Sequence, residues 1–139
     1  MVDNVKDLIK LHEGLRLKPY RCTAGNLTIA YGRNLDDRGV TEQEADYLLE
    51  NDIADCIEMA EKHFEWFPAL DEVRQAVILD MIYNLGIVGL LKFKMMLHFM
   101  QLGMYDQASI EMRESIWFDQ VKERAKRLCE MMISGKYQS

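Results

Sequence analysis

Apolar residues recur every three or four positions along most of this chain, which is the spacing of amphipathic helices. Near the N-terminus, Val5, Leu8 and Ile9 follow this spacing, and Gly14 stands where such a helix can end. The same periodicity returns after residue 40, divided by joints of only a few residues, as in a helical bundle. It predicts further helices at residues 41–62, 71–85, 90–102, 106–114 and 118–135.

One stretch before residue 40 departs from the helical pattern. Leu27–Tyr31 alternates in the manner of a strand and stands between two groups of turn residues. Alternation would place Thr28, Ala30 and Gly32 on the same face of this strand. That face carries only small side chains, so we expect it to leave space beside the Thr28 hydroxyl.

The clearest local signal is a capping box at Thr41 and Glu44. In this pattern the threonine hydroxyl accepts from the backbone N–H three residues on, and the glutamate reaches back to the threonine N–H. The helix that follows has an acidic outer face, as expected for a helix that bridges two lobes with its outer side in water. In an alternative interpretation, the protein is a helical interaction protein whose acidic face, residues 36–65, docks a basic partner.

Composition narrows the class of protein. The chain has 139 residues, 49% apolar and 29% charged, as in soluble globular domains. No stretch approaches the ~18 apolar residues of a membrane span, and the N-terminus carries charges in place of an apolar signal region. The net charge of −6 argues against a general nucleic-acid binder. We therefore expect neither membrane insertion nor a nucleic-acid partner. We also expect the protein to be made in the cytoplasm without a signal peptide, so that its cysteines are reduced.

Few side chains stand out as candidates for chemistry. The histidines share no metal-ligand spacing and the methionines are typical of deformable core packing, so we expect neither a metal nor another cofactor. Glu13 lies where the first helix gives way to the strand region, and a carboxylate there can lean over a cleft as a general acid. Cys22 and Thr28 are compatible with ordinary structural roles. Spacing alone does not bring these three residues together, because nine residues can stretch to about 30 Å.

Longer motifs carry a resemblance to a known family. The run from Leu8 to Tyr20, followed by Leu27–Gly32, resembles the phage-type lysozymes, or endolysins, of glycoside hydrolase family 24. Their active-site pattern is a glutamate, eight residues, an aspartate or in some members a cysteine, five residues and a threonine. The residues that match this spacing are Glu13, Cys22 and Thr28. The C-terminal half is similar at Asp80–Gly86, at Trp117 and over residues 124–127.

The resemblance implies a fold class, which is α+β and predominantly α, with a short antiparallel sheet. The chain would form a single lysozyme domain of two lobes joined by a long helix. One lobe would comprise residues 13–60 with the β-hairpin region, and the helical lobe would comprise residues 1–12 together with 61–139.

The resemblance also implies a muramidase, which hydrolyses the β-1,4 bond between N-acetylmuramic acid and N-acetylglucosamine in peptidoglycan, usually with inversion. Glu13 would protonate the leaving glycosidic oxygen, while Cys22 and Thr28 would position or activate the attacking water. We expect a monomer that reaches the cell wall after release through a separate pore-forming protein. The residues implied for glycan binding are Asn34, Tyr83, Asn84 and Arg124.

Some features differ from the usual pattern of that family. Cys22 takes the place of the commoner aspartate, and a thiol with a pKa near ~8.5 is mostly neutral at pH 7. This leaves open whether Cys22 acts as a base, as a nucleophile or only as a holder of the water. Ala30 stands where glycine is usual, and the chain is acidic although many relatives are basic. The alternative function is a non-catalytic glycan-binding module that retains the lysozyme fold.

Overall fold

The computed structural model of the protein describes residues 1–138. Two compact units are present, one from Met1 to Leu48 and one from Leu49 onwards. The boundary falls inside a long helix, as the sequence predicts for a helix shared by two lobes. The limits of these units differ from those of the two lobes implied by the family resemblance. The resemblance assigns residues 1–12 to the helical lobe, and this assignment stays a prediction.

The first unit begins with α1 (Val5–Glu13). Its start is capped by Asn4, whose side chain accepts a hydrogen bond of 2.9 Å from the N–H of Asp7. Its end is Gly14, which has φ 70° and donates its N–H to the carbonyl of Lys10. The predicted helix and its end are confirmed, and both are set by hydrogen bonds within a few residues.

A three-stranded antiparallel sheet follows, with β1 (Arg16–Arg21), β2 (Leu27–Ala30) and β3 (Arg33–Asn34) in that order. The strand predicted over Leu27–Tyr31 is therefore confirmed but ends one residue earlier. It ends there because Ala30 has φ 60°, which is outside the extended region that strand pairing needs.

Helix α2 (Glu42–His63) starts in the first unit and continues into the second. The capping box is confirmed: the N–H of Glu44 donates to Thr41 Oγ1 at 3.1 Å, and the N–H of Thr41 donates to Glu44 Oε1 at 2.8 Å. These two bonds satisfy N–H groups that the first helical turn would otherwise leave unpaired.

The second unit is helical. After a short 3₁₀ turn, Phe67–Ala69, its helices are α3 (Glu72–Leu91), α4 (Lys94–Gln101), α5 (Tyr105–Arg113), α6 (Ile116–Val121) and α7 (Glu123–Ser134). Together with the sheet, they confirm the α+β, predominantly α fold class.

Gly86 ends the first part of α3 with φ 74° and ψ 164°, as the sequence predicts, and a short helical segment beyond this kink runs to Leu91. Two other predicted helix boundaries are wrong. The helix predicted from residue 90 begins at Lys94. The helix predicted over 118–135 is two helices, because Lys122 has φ 45° and ψ −109° and breaks the helical hydrogen-bond pattern.

The core of the second unit is formed where α3, α4, α5 and α7 pack against one another. Methionines fill much of this core, in agreement with the expected packing role, although Met95 and Met104 stay exposed. The fully buried methionines are Met81, Met96, Met100, Met112 and Met132.

Helix α3 is long and apolar enough to cross a membrane, by length and composition alone. Its side chains Val77, Ile78 and Met81 are buried in the core of the second unit, and Gly86 interrupts it. A core helix accounts for the same composition, because packing on other helices removes these apolar side chains from water.

Candidate active site

Glu13 is the last residue of α1 and is exposed. Its carboxylate lies against the backbone of Gly32, which belongs to the two-residue turn between β2 and β3. A Cβ added at Gly32 would lie 2.5 Å from Glu13 Oε2 and 2.9 Å from its carboxyl carbon. The carboxylate therefore occupies space that exists only because residue 32 has no side chain.

Cys22 and Thr28 meet at the turn that joins β1 to β2. The carbonyl of Asn26 accepts from the Thr28 hydroxyl at 2.9 Å and from the Cys22 N–H at 3.0 Å. Thr28 is buried, and Cys22 is half-buried. One carbonyl therefore joins the backbone of Cys22 to the side chain of Thr28.

The surroundings of the Cys22 thiol favour its ionised form. Backbone hydrogen bonds from Asn26 and then Ala24, with a side-chain hydrogen bond from Thr28, hold the pKa of Cys22 below its ordinary value. The Thr28 hydroxyl has one proton, which points at the Asn26 carbonyl here. Rotation of that hydroxyl can transfer the hydrogen bond to the sulfur when the thiol ionises.

Asn34 lies directly opposite Thr28 in the β2–β3 pairing. Its side-chain oxygen accepts a hydrogen bond of 3.1 Å from the N–H of Asp37. Among residues 1–138, no hydrogen bond is made by its amide nitrogen, which is therefore available as a donor.

An apolar cavity of about 710 Å³ is also present in the first unit. Ile29 and Ala30 line it, together with the Arg33–Glu44 ion pair, while Thr28 is not among its lining residues. Adjacent residues line the same cavity because Ala30 leaves the extended conformation, which ends the strict alternation expected from the sequence.

The remaining candidates lie in the second unit. Arg124 Nε donates to Asp80 Oδ1 at 2.8 Å, and both residues line a cavity of about 370 Å³ together with Tyr83. Asn84 instead accepts a hydrogen bond of 3.1 Å from the indole N–H of Trp117. The structure thus places Tyr83 and Arg124 at one cavity, whereas the side chain of Asn84 holds an aromatic residue.

Three residues that help to build these sites were not predicted as site residues from the sequence. Gly32 makes room for Glu13, the Asn26 carbonyl links Cys22 to Thr28, and Asp80 orients Arg124. Gly32 and Asp80 lie inside the family motifs and Asn26 lies in the turn before Leu27, but a backbone carbonyl or a missing side chain leaves no distinctive residue pattern.

A carboxylic acid at a helix end and a thiol with a hydroxyl on a neighbouring turn are groups that can transfer a proton and hold a water. The small sheet and the helical second unit define an α+β protein, and these side chains are its candidates for acid–base chemistry.

Comparison with known proteins identifies the family. The chain belongs to the phage lysozyme family, whose model matches residues 10–129. It is 32% identical over 108 positions to an endolysin of Acyrthosiphon pisum secondary endosymbiont phage 1, covering 75% of this chain and 71% of that protein. It is 27% identical over 168 aligned positions to "Probable T4-type lysozyme 1" of Dictyostelium discoideum, covering 97% and 96%.

A larger protein also contains a similar region. The chain is 27% identical over 164 aligned positions to the pre-baseplate central spike protein Gp5 of Enterobacteria phage T4, and this match spans 28% of that protein. Membership of the phage lysozyme family supports a glycosidase whose substrate is peptidoglycan.

Proposed function

We propose that this protein is a muramidase that hydrolyses the β-1,4 bond between N-acetylmuramic acid and N-acetylglucosamine in peptidoglycan. The observation that carries the proposal is the seat of the Glu13 carboxylate against Gly32, in the turn that follows the strand bearing Thr28. Family membership supports peptidoglycan as the substrate, and this geometry supports Glu13 as the general acid.

In the proposed reaction, Glu13 donates its proton to the leaving glycosidic oxygen as the bond to the anomeric carbon breaks. A general acid in this position contributes about 10²- to 10⁴-fold to the rate. The exposure of Glu13 supports this role, because a polysaccharide must reach the carboxyl group directly.

Cys22 and Thr28 are proposed to hold and activate the attacking water. The lowered pKa of Cys22 supports the thiolate as the base that takes a proton from this water. The water then adds to the anomeric carbon on the face opposite the leaving oxygen, which inverts the configuration. Inversion requires the acid and base about 6.5–9.5 Å apart, so that the water fits between them.

Glycan binding is proposed for Asn34 through its amide nitrogen, and for Tyr83 and Arg124 through the cavity that they line. Asn84 is proposed to act through Trp117, which its side-chain oxygen holds. By similarity to phage endolysins, we further propose that the protein works as a monomer on the cell wall after release by a separate pore-forming protein.

The test compares Glu13→Gln with Glu50→Gln, which changes an exposed glutamate of α2 outside the candidate site. Digests of purified peptidoglycan are separated by chromatography, and new reducing ends are counted. We expect Glu13→Gln to lose at least about 100-fold in rate and Glu50→Gln to match the unaltered protein. Full activity of Glu13→Gln would contradict the proposed role.

The same digests separate the two candidate functions and the stereochemistry. A protein that binds glycan strands but releases no new reducing ends would be the non-catalytic binding module. For an active enzyme, NMR of the freshly formed ends should show the α anomer expected from inversion of a β bond. An initial β anomer would indicate retention and contradict the proposed role of the water.

A further inference from the structure

Two neighbouring side chains at the end of α1 contact two neighbouring residues of the β2–β3 turn. Lys10 and Glu13 are three positions apart and therefore share a face of the helix. Lys10 Nζ lies 5.4 Å from the centroid of the Tyr31 ring, and the Glu13 carboxylate lies against Gly32. The cation and the ring are within the range of a cation–π interaction.

The turn itself is anchored from its other side. Arg33 directly follows Gly32 and donates to Glu44 Oε1 at 2.8 Å and to the carbonyl of Gly39 at 3.1 Å. Glu44 is in turn held by the N–H of Thr41. The turn is thus tied to the first residues of α2 by a bidentate ion pair and a capping box, which are strong and geometrically specific contacts.

Helix α1 has no comparable anchorage. None of its side chains is buried, and the ion pairs found within residues 1–138 include none from α1. The contact between Lys10 and the ring of Tyr31, in a turn followed directly by the anchored Arg33, is therefore expected to influence where the last turn of α1 lies. Glu13 is in that turn, so its carboxylate moves with it.

We propose that Lys10 and Tyr31 are positioning residues for Glu13, and that the cation held over the ring keeps the Glu13 carboxylate seated at Gly32. This inference rests on the proposed function, in which Glu13 is the general acid. Rates of positioned proton transfer fall steeply when a catalytic group shifts by as little as 1 Å. The contact should therefore act on turnover and leave glycan binding nearly unchanged.

The experiment measures kcat and KM on a soluble peptidoglycan fragment for Lys10→Met and Tyr31→Leu, separately and combined. We expect kcat to fall about two- to five-fold for each, which corresponds to ~0.5–1 kcal/mol at 1.36 kcal/mol per factor of ten. KM should stay within about two-fold. The double variant should be no slower than the slower single variant, since both changes remove the same contact.

Conservative variants and one control separate positioning from other effects. Lys10→Arg and Tyr31→Phe keep a cation over an aromatic ring and should recover at least half of the original kcat. Lys6→Met removes the same charge one helical turn earlier, where Lys6 has no aromatic partner among the described residues, and should leave kcat unchanged.

The outcomes distinguish this inference from the proposed function. Equal effects of Lys10→Met and Lys6→Met, or additive losses in the double variant, would overturn the positioning role. An unchanged kcat in Lys10→Met would also overturn the positioning role. If Glu13→Gln were inactive in that case, the role of Glu13 as the general acid would still be supported. An active Glu13→Gln would overturn the proposed role of Glu13 and this inference with it.

Discussion

Replacing Gly32 by alanine adds a methyl group directly in front of the Glu13 carboxylate. The added Cβ would lie 2.5 Å from Glu13 Oε2, and ordinary van der Waals contact begins at about 3.4 Å, so the oxygen must move by about 0.9 Å. The carboxyl group is the far end of a flexible side chain, so it will move before the backbone does. The substitution therefore displaces the proposed general acid and leaves the fold in place.

The size of the effect follows from this displacement. A misplacement of about 1 Å can cost about 100-fold in rate, and we expect a loss of about 10- to 100-fold in kcat/KM. Gly32 also has φ 74°, where an alanine costs about 1–2 kcal/mol of conformational energy. Lost stability must therefore be separated from lost activity.

Gly103→Ala provides the matched control. Gly103 has φ 73°, and an added Cβ meets nothing within 4 Å. Both variants should lose about 1–2 kcal/mol in free energy of unfolding, measured by urea denaturation. Only Gly32→Ala should lose activity on purified peptidoglycan. Equal activities for the two variants, under conditions where both are folded, would refute the reasoning that Gly32 makes the seat for Glu13.

Three further predictions concern the first unit. Hydrogen bonds from Arg33 hold the pKa of Glu44 at about 2, below its ordinary value of 4.5. The ionised Glu44 therefore stabilises the fold fully above pH 4.5, and this contribution is lost as the pH falls toward 2. The difference in Tm between the unaltered protein and Glu44→Gln should shrink over that range; a constant difference would contradict the assignment. Ala30 has φ 60°, a conformation that is costly for alanine and that glycine adopts freely. Ala30→Gly should therefore raise the free energy of unfolding, measured by thermal denaturation, by about 0.5–1 kcal/mol. Cys22→Asp should move the rising limb of the pH–rate profile to lower pH, because a carboxylate ionises well below a thiol; an unmoved limb would remove Cys22 as the base.

Local structure followed from the sequence where a few neighbouring residues make their own hydrogen bonds. The start and end of α1, the capping box at Thr41 and Glu44, and the strand beginning at Leu27 all agree with the structure. Each depends on side-chain types within about four positions. The spacing of Glu13, Cys22 and Thr28, read with its flanking motifs, likewise indicated the family to which the chain belongs.

Boundaries failed where the backbone conformation is not encoded by the local residue type. Lys122 breaks a predicted helix with a positive φ that is rare for lysine, and Ala30 ends a strand in the same way. Packing of the surrounding helices outweighs local preference at such positions.

Local sequence determined which groups can carry the chemistry, since a carboxyl, a thiol and a hydroxyl are properties of single residues. Only the tertiary structure decided their partners: the Glu13 carboxylate lies against Gly32, and Arg124 pairs with Asp80 across 44 positions of sequence. Arg74 likewise donates to the carbonyls of Met132 and Ile133 at the end of α7. Such contacts join segments that are distant along the chain, and the path that brings them together depends on the packing of the whole unit rather than on any short run of residues.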